Sequence, residues 1–169
     1  ADAQRKRAGA STLCRNLRSI ARDKRIKGVL VRVSSGGGSS YGSDLIWRSI
    51  GEVGAKKPVV VSMGDMAASG GYYVAVASGE VFAEPGTLTG SVGVFAGKAA
   101  LQGLYNKLGL VKEQFKAGQN AGIYGDYKSY ETNEKKRVEA MIRKVYQEFL
   151  EKVMAGGNMD KAQAESIAQ

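Results

Sequence analysis

Two short apolar runs, Gly28-Val29-Leu30-Val31-Arg32-Val33 and Pro58-Val59-Val60-Val61-Ser62-Met63, constrain the fold of this chain more than any other feature. Each has the length of a buried strand and passes at once into a loop of small residues. The first loop, Ser34 to Ser40, is centred on Gly36-Gly37-Gly38, and the second runs from Met63 to Gly70. Beyond each loop the apolar spacing becomes helical. Leu45, Ile46, Ile50 and Val53 mark a helix between Ser43 and Gly54, and the small-residue segment Ser69 to Ser78 forms another. Strand, loop and helix repeated in this order predict an α/β fold with a mainly parallel sheet. Proline at the start of the second run is compatible with this, because a strand's first residue need not donate to the ladder.

The remaining segments extend the alternation. Residues 2 to 22 read as a helix with Leu13, Leu17 and Ile20 on one face, so residues 1–26 form a basic helical N-terminal segment. Glu80 to Ala83 and Thr87 to Phe95 read as short strands, Ala99 to Leu108 as a helix, and Leu110 to Phe115 as a further strand. Thr132 is placed to cap a long helix with a stripe of Val138, Met141, Ile142, Val145, Phe149 and Val153, ending at Gly156-Gly157. A length of 169 residues with 43% hydrophobic content is that of one globular domain. The charged start and the helical pattern still running at Gln169 suggest a piece of a longer chain.

Composition removes several chemistries. There is no histidine, which excludes Ser-His-Asp and Cys-His arrangements and most zinc sites. Cys14 is the only cysteine, so no internal disulfide and no cysteine-based metal site can form. Neither a metal nor a cofactor is expected. The balance of 25 Lys+Arg against 16 Asp+Glu gives +9, which favours anionic surfaces such as phospholipid headgroups. Nucleic acid is not an expected partner, since no aromatic-interleaved basic motif accompanies the charge. No run reaches the roughly 20 apolar residues that span a bilayer.

In an α/β fold the functional groups gather where strands end, which directs attention to the two small-residue loops. In the second, Ala67-Ala68-Ser69-Gly70-Gly71 puts a serine where a sharp strand-to-helix turn would project it outward. The N–H of Gly70 and an amide of the glycine triplet, Gly37, are then natural oxyanion donors. A serine between alanine and glycine is equally the pattern of a helix N-cap, and local features alone leave both readings open.

The stretch from Pro58 to Tyr73 (PVVVSMGDMAASGGYY), followed by Thr87 to Val94 (TLTGSVGV), closely resembles the signal peptide peptidase A (protease IV) family, with the match running from about Lys27 to the end. That family has a Clp-protease/crotonase-like fold of repeated ββα units and cleaves residual signal peptides with a Ser-Lys dyad. The resemblance implies a serine endopeptidase with Ser69 as nucleophile, Gly37 and Gly70 as the oxyanion hole, and Ser91 as the serine that orients the lysine. Ser35-Gly36-Gly37-Gly38 matches the family's serine-proline-glycine-glycine loop, with Gly36 where proline is usual.

The general base is the departure. The family's lysine position falls on Ala121, in Lys116-Ala117-Gly118-Gln119-Asn120-Ala121-Gly122-Ile123, and alanine takes no proton. Lys116 and Lys128 are near in sequence but displaced. Long family members are tandem duplications in which one half carries the lysine and the other the serine. This chain resembles the serine half, so its lysine is expected from another domain or subunit; a lysine deliberately changed to alanine is the alternative. The resemblance further implies apolar peptide substrates, a homo-oligomer, and a membrane-associated setting on the bacterial periplasmic face of the inner membrane or the plastid thylakoid. Two other classes compete. An acyl-CoA enzyme of the crotonase type would need a carboxylate in the loops, and only Asp65 is there. A non-catalytic peptide-binding or assembly module would need no base.

Overall fold

The computed structural model describes residues 9–168, which form two compact units. One comprises the described residues up to Gly93 together with those from Gln147 onward; the other is Val94–Tyr146. The first part of the expected N-terminal helix, residues 2–8, lies outside the described residues.

The first unit is built on a parallel sheet. Strand β1 (Val29–Ser35) pairs with β2 (Val59–Ala68), which also pairs with β3 (Val81–Phe82) and, nearer its C-terminal end, with β4 (Leu88–Gly90). Helices α1 (Ala10–Arg22), α2 (Ser40–Gly54) and α3 (Gly70–Ala75) complete it, together with α6 (Lys161–Ser166). The expected α/β architecture with a mainly parallel sheet is the one found. Val33, Val61, Met63, Ala67 and Ala75 form one buried cluster, and Leu17, Ile50 and Val53 form another. Fully burying an aliphatic side chain of this size contributes about 1.5–3 kcal/mol, so these two clusters hold sheet and helices together.

Strand β2 is longer than its apolar run. Its register against β1 shifts between Val33↔Met63 and Ser35↔Ala67, so the segment Gly64-Asp65-Met66 bulges and the ladder resumes beyond it. Pairing of Met66, Ala67 and Ala68 with Leu88, Thr89 and Gly90 holds this extension in the sheet. The loop expected from Met63 to Gly70 is therefore largely strand, and the chain turns only at Ser69. Helix α3 ends at Ala75 instead of Ser78, because the Ser78 hydroxyl leaves the helix to donate to the Val59 carbonyl at 2.6 Å. Helix α2 starts at Ser40, three residues earlier than its apolar stripe suggests, since the Ser39 hydroxyl accepts the Gly42 N–H at 3.2 Å and caps it.

The second unit contains α4 (Gln102–Lys107) and the start of α5 (Thr132–Gly157). Residues 110–115 form no strand: Leu110 donates its N–H to the Tyr105 carbonyl, and Leu110, Val111 and Phe115 are exposed, with no neighbouring ladder to join. Strand β4 stops at Gly90, well short of Phe95, because Ser91 turns to a φ of 52°. Thr132 is the first helical residue of α5, not its cap. That place belongs to Glu131, whose carbonyl accepts from the Lys135 N–H and whose own N–H donates to the Glu134 carboxylate at 3.1 Å. Of the expected stripe, Val138, Phe149 and Val153 are buried, whereas Met141 is exposed.

A buried ion pair organises this unit. Lys98 Nζ lies 3.4 Å from Glu134 Oε2, donates to the Gly122 carbonyl at 3.1 Å, and stands 4.5 Å from the centre of the Tyr130 ring. The N–H of Glu131 and this ammonium hold the Glu134 carboxyl below its ordinary range against the effect of burial.

Candidate active site

Ser69 stands between the end of β2 and the first residue of α3 with φ 50° and ψ −119°. This is the backbone of the first central residue of a II′ turn, a conformation that normally calls for glycine, and it costs a serine about 1–3 kcal/mol. Its neighbours fix it on several sides. The Ser69 N–H donates to the Gly90 carbonyl at 2.9 Å, and its carbonyl accepts from the Tyr73 N–H at 2.9 Å. A strained serine at the exit of a parallel strand, partly exposed, is the geometry that displays a nucleophile above a sheet.

The glycine loop after β1 lies directly against this turn. Gly37 has a φ of 106°, and a Cβ there would meet the Gly70 nitrogen at 2.8 Å and the Ser69 Cβ at 2.9 Å. Gly70 is similarly confined: a Cβ would stand 2.5 Å from the Ser43 hydroxyl oxygen and 3.2 Å from the Gly38 nitrogen. The structure thus brings Ser69, Gly37 and Gly70 together, as the sequence reading requires. It also adds a detail: the Gly37 N–H donates to the Ser35 hydroxyl at 3.1 Å.

Ser91 follows Gly90, whose carbonyl holds the Ser69 amide, so pairing of β4 with β2 carries both serines to one end of the sheet. Like Ser69 it has a positive φ. Ala121 lies in the second unit, in a turn where its N–H donates to the Gly118 carbonyl at 3.3 Å. Lys116 pairs at 3.9 Å with Glu131 in that unit, and Lys128 is exposed there. Asp65 sits in the bulge of β2 and accepts a 2.7 Å hydrogen bond from the Ser34 hydroxyl.

Residues 52–169 match peptidase family S49. The chain belongs to that family. The S49 match includes Ser69, Gly70, Ser91 and Ala121, while the glycine loop precedes it. This S49 chain is 37% identical to the chloroplastic serine protease SPPA of Arabidopsis thaliana over 95% of its length and 24% of that protein. It is 33% identical to a putative signal peptide peptidase SppA of Enterococcus faecium, over 90% of this chain and 44% of the relative. With protease 4 of Haemophilus influenzae the identity is 32%, over 96% of this chain and 26% of the relative. The S49 chain therefore spans less than half the length of these relatives. Among its described residues no helix is long and apolar enough to cross a membrane.

Sequence reading missed the groups that support the turn. The Tyr73 hydroxyl, one helical turn after Ser69, donates to Asp44 Oδ1 at 2.9 Å, and Asp44 pairs with Arg48 at 2.6 Å. This network ties α3 to α2, with the Tyr73 ring 4.9 Å from that of Phe149 on α5. Burial and the Asp44 carboxylate push the Tyr73 phenol far above its usual range, so it is a permanent donor at neutral pH. Burial raises the Asp44 carboxyl, but its bonds to Arg48 and Tyr73 outweigh that and hold it below the ordinary range. A depressed carboxyl contributes stability above its unfolded pKa and loses it as pH falls through the folded one. Tyr73→Phe is expected to destabilise the chain by about 2 kcal/mol, the scale of a hydrogen bond to a charged group, read from the denaturant midpoint at neutral pH. The loss should shrink in acid as Asp44 becomes protonated.

Proposed function

We propose that this chain is the serine-bearing part of a serine endopeptidase, with Ser69 as nucleophile and an uncharged lysine amine from another domain or subunit as general base. The observation that carries the reading is the strained Ser69 turn packed against the Gly37 loop, in a chain of a peptidase family. The lysine is the base that the family resemblance implies, and a desolvated lysine amine is a neutral base able to take a serine hydroxyl's proton near physiological pH. Ser69 Oγ attacks the scissile carbonyl carbon as its proton passes to the amine. The Gly37 and Gly70 N–H groups hold the oxyanion, which requires Gly37 to exchange the Ser35 hydroxyl for substrate oxygen. Collapse expels the peptide amine with the proton, and water then hydrolyses the acyl-enzyme by the reverse use of the same groups. Ser91, at the same sheet end, orients the incoming amine.

Apolar peptides such as cleaved signal peptides are the proposed substrates, in keeping with the name of the relative from Enterococcus. A homo-oligomer at a membrane surface, bacterial periplasmic or plastid, is the proposed setting. The exposed arginines Arg15, Arg18 and Arg22 along α1 suit anionic headgroups. Ala121 in the lysine position favours one competing reading, a non-catalytic peptide-binding module. Changing Lys116 and Lys128 separately to methionine in the intact protease tests where the base resides. Cleavage of an apolar fluorogenic peptide should stay within about twofold of wild type for both, since neither removes a group acting in the transition state. Collapse of activity in either variant would place the base on this chain, and absence of cleavage by the wild-type protease would favour the non-catalytic module.

A further inference from the structure

The extension of β2 carries an apolar pair that the chemistry described above does not use. Met66 and its ladder partner on β4, Leu88, stand side by side and are 37% and 60% exposed. The next residue along β2, Ala67, is fully buried in the cluster with Val61, Met63 and Ala75, so strand alternation turns Met66 to the other side of the sheet. There its sulfur lies against the glycine loop. A Cβ on Gly36 would come within 3.1 Å of Met66 Sδ, just as a Cβ on Gly37 would come within 2.9 Å of the Ser69 Cβ. Consecutive glycines of one loop thus touch the apolar pair and the nucleophile. The same ladder ends two residues on, at Ala68 and Gly90, and the Gly90 carbonyl holds the Ser69 N–H. Large apolar side chains left in water forgo the gain of burial, and a pair continuous with the site recovers it when an apolar substrate covers it.

We propose that Met66 and Leu88 form an apolar subsite, the surface that selects a large apolar side chain of the substrate beside the scissile bond. With the scissile oxygen at the Gly37 and Gly70 amides, the peptide crosses the glycine loop, and a side chain next to that bond reaches the pair over Gly36, which has none of its own. Gly36 keeps the subsite deep, because a side chain there would push the flexible Met66 thioether into the space. An unbranched thioether adapts its shape, so leucine, phenylalanine and methionine are all accepted. The inference rests on the catalytic reading given above and names the residues that choose its substrates.

Selectivity in the intact protease tests it, read as the ratio of kcat/KM for fluorogenic peptides that carry leucine, alanine or serine in turn at each position flanking the scissile bond. The wild-type protease should prefer leucine over serine by about 10- to 100-fold at one of these positions, the scale of burying one aliphatic side chain. Met66→Ser and Leu88→Ser, both at exposed positions that tolerate a polar group, should each cut that preference to below about threefold. Gly36→Ala, whose φ lies outside the left-handed region, should instead move the optimum at the same position from leucine to alanine. A purely structural role would lower turnover of leucine and serine peptides alike, so an unchanged ratio in the serine variants overturns the proposal. A wild-type protease without a preference at any position overturns it too. If the catalytic reading itself fails, the wild-type protease cleaves none of the peptides and forms no Ser69 adduct with a fluorophosphonate, whereas failure of the subsite alone leaves both intact.

Discussion

Replacing Ser69 by alanine in the intact protease should lower kcat for an apolar peptide by on the order of 10⁴- to 10⁶-fold, because nucleophile and base act as a unit. The fold should survive. Alanine and serine both carry a Cβ and meet the same obstacle at φ 50°, and neither hydrogen bond of the Ser69 backbone involves the hydroxyl. Ser69→Gly should be equally inactive but more stable than the native chain by about 1 kcal/mol, since glycine enters this II′ conformation without the strain. Stability gained as activity vanishes would show that the strain is kept to aim the hydroxyl. The two readouts are peptide turnover and the denaturant midpoint. A Ser69→Gly variant less stable than Ser69→Ala would contradict the account of the turn.

Gly37→Ala is expected to have the next largest effect, a loss of about 10²- to 10³-fold in kcat, the scale of one oxyanion donor. Its new Cβ would fall 2.8 Å from the Gly70 nitrogen and 3.2 Å from the Ala68 carbonyl oxygen, both backbone atoms that cannot swing aside. The φ of 106° adds strain of about 1–3 kcal/mol for any residue with a side chain. The loop must withdraw from the Ser69 turn, taking the donor with it. Gly51→Ala is the natural control: it lies within α2, and nothing stands within 4 Å of its added Cβ. It should stabilise the chain by about 0.5–1 kcal/mol through helix propensity alone, with kcat unchanged. Equal activity losses in both variants would mean that Gly37 has no special place in the site.

The strand–loop–helix repeat was legible because short runs rich in β-branched residues mark β1 and the first half of β2 and pass directly into small-residue loops, although β1 is covered on one face only, with Leu30 and Arg32 exposed. What the runs could not show was that β2 continues to Ala68. That extension depends on a bulge and on a non-local partner, β4, and neither leaves a mark in the local pattern. The same logic explains the error at Leu110–Phe115, where a strand-like composition finds no ladder. That Ser69, Gly70 and Gly37 lie together was foreseeable from small residues at strand ends, whereas the catalytic roles proposed for them came from the family resemblance. The support of the turn was not foreseeable. Ser43, whose hydroxyl oxygen leaves no room for a side chain at Gly70, lies on one stripe of α2 with Ile46, Ile50 and Val53, and a serine in such a stripe is a signal that could have marked that close approach. The Asp44–Tyr73 bond joins residues on two helices and had no local cue.

The central claim is that Ser69 is the nucleophile, and the most direct measurement is mass-spectrometric mapping of the adduct formed when the intact protease reacts with a fluorophosphonate. Attack on phosphorus expels fluoride and leaves the phosphonyl group on the attacking oxygen. The account predicts one stoichiometric adduct on the peptide containing Ala68-Ser69-Gly70, lost in Ser69→Ala and slowed in Gly37→Ala. An adduct on another serine, or labelling that persists in Ser69→Ala, would contradict it.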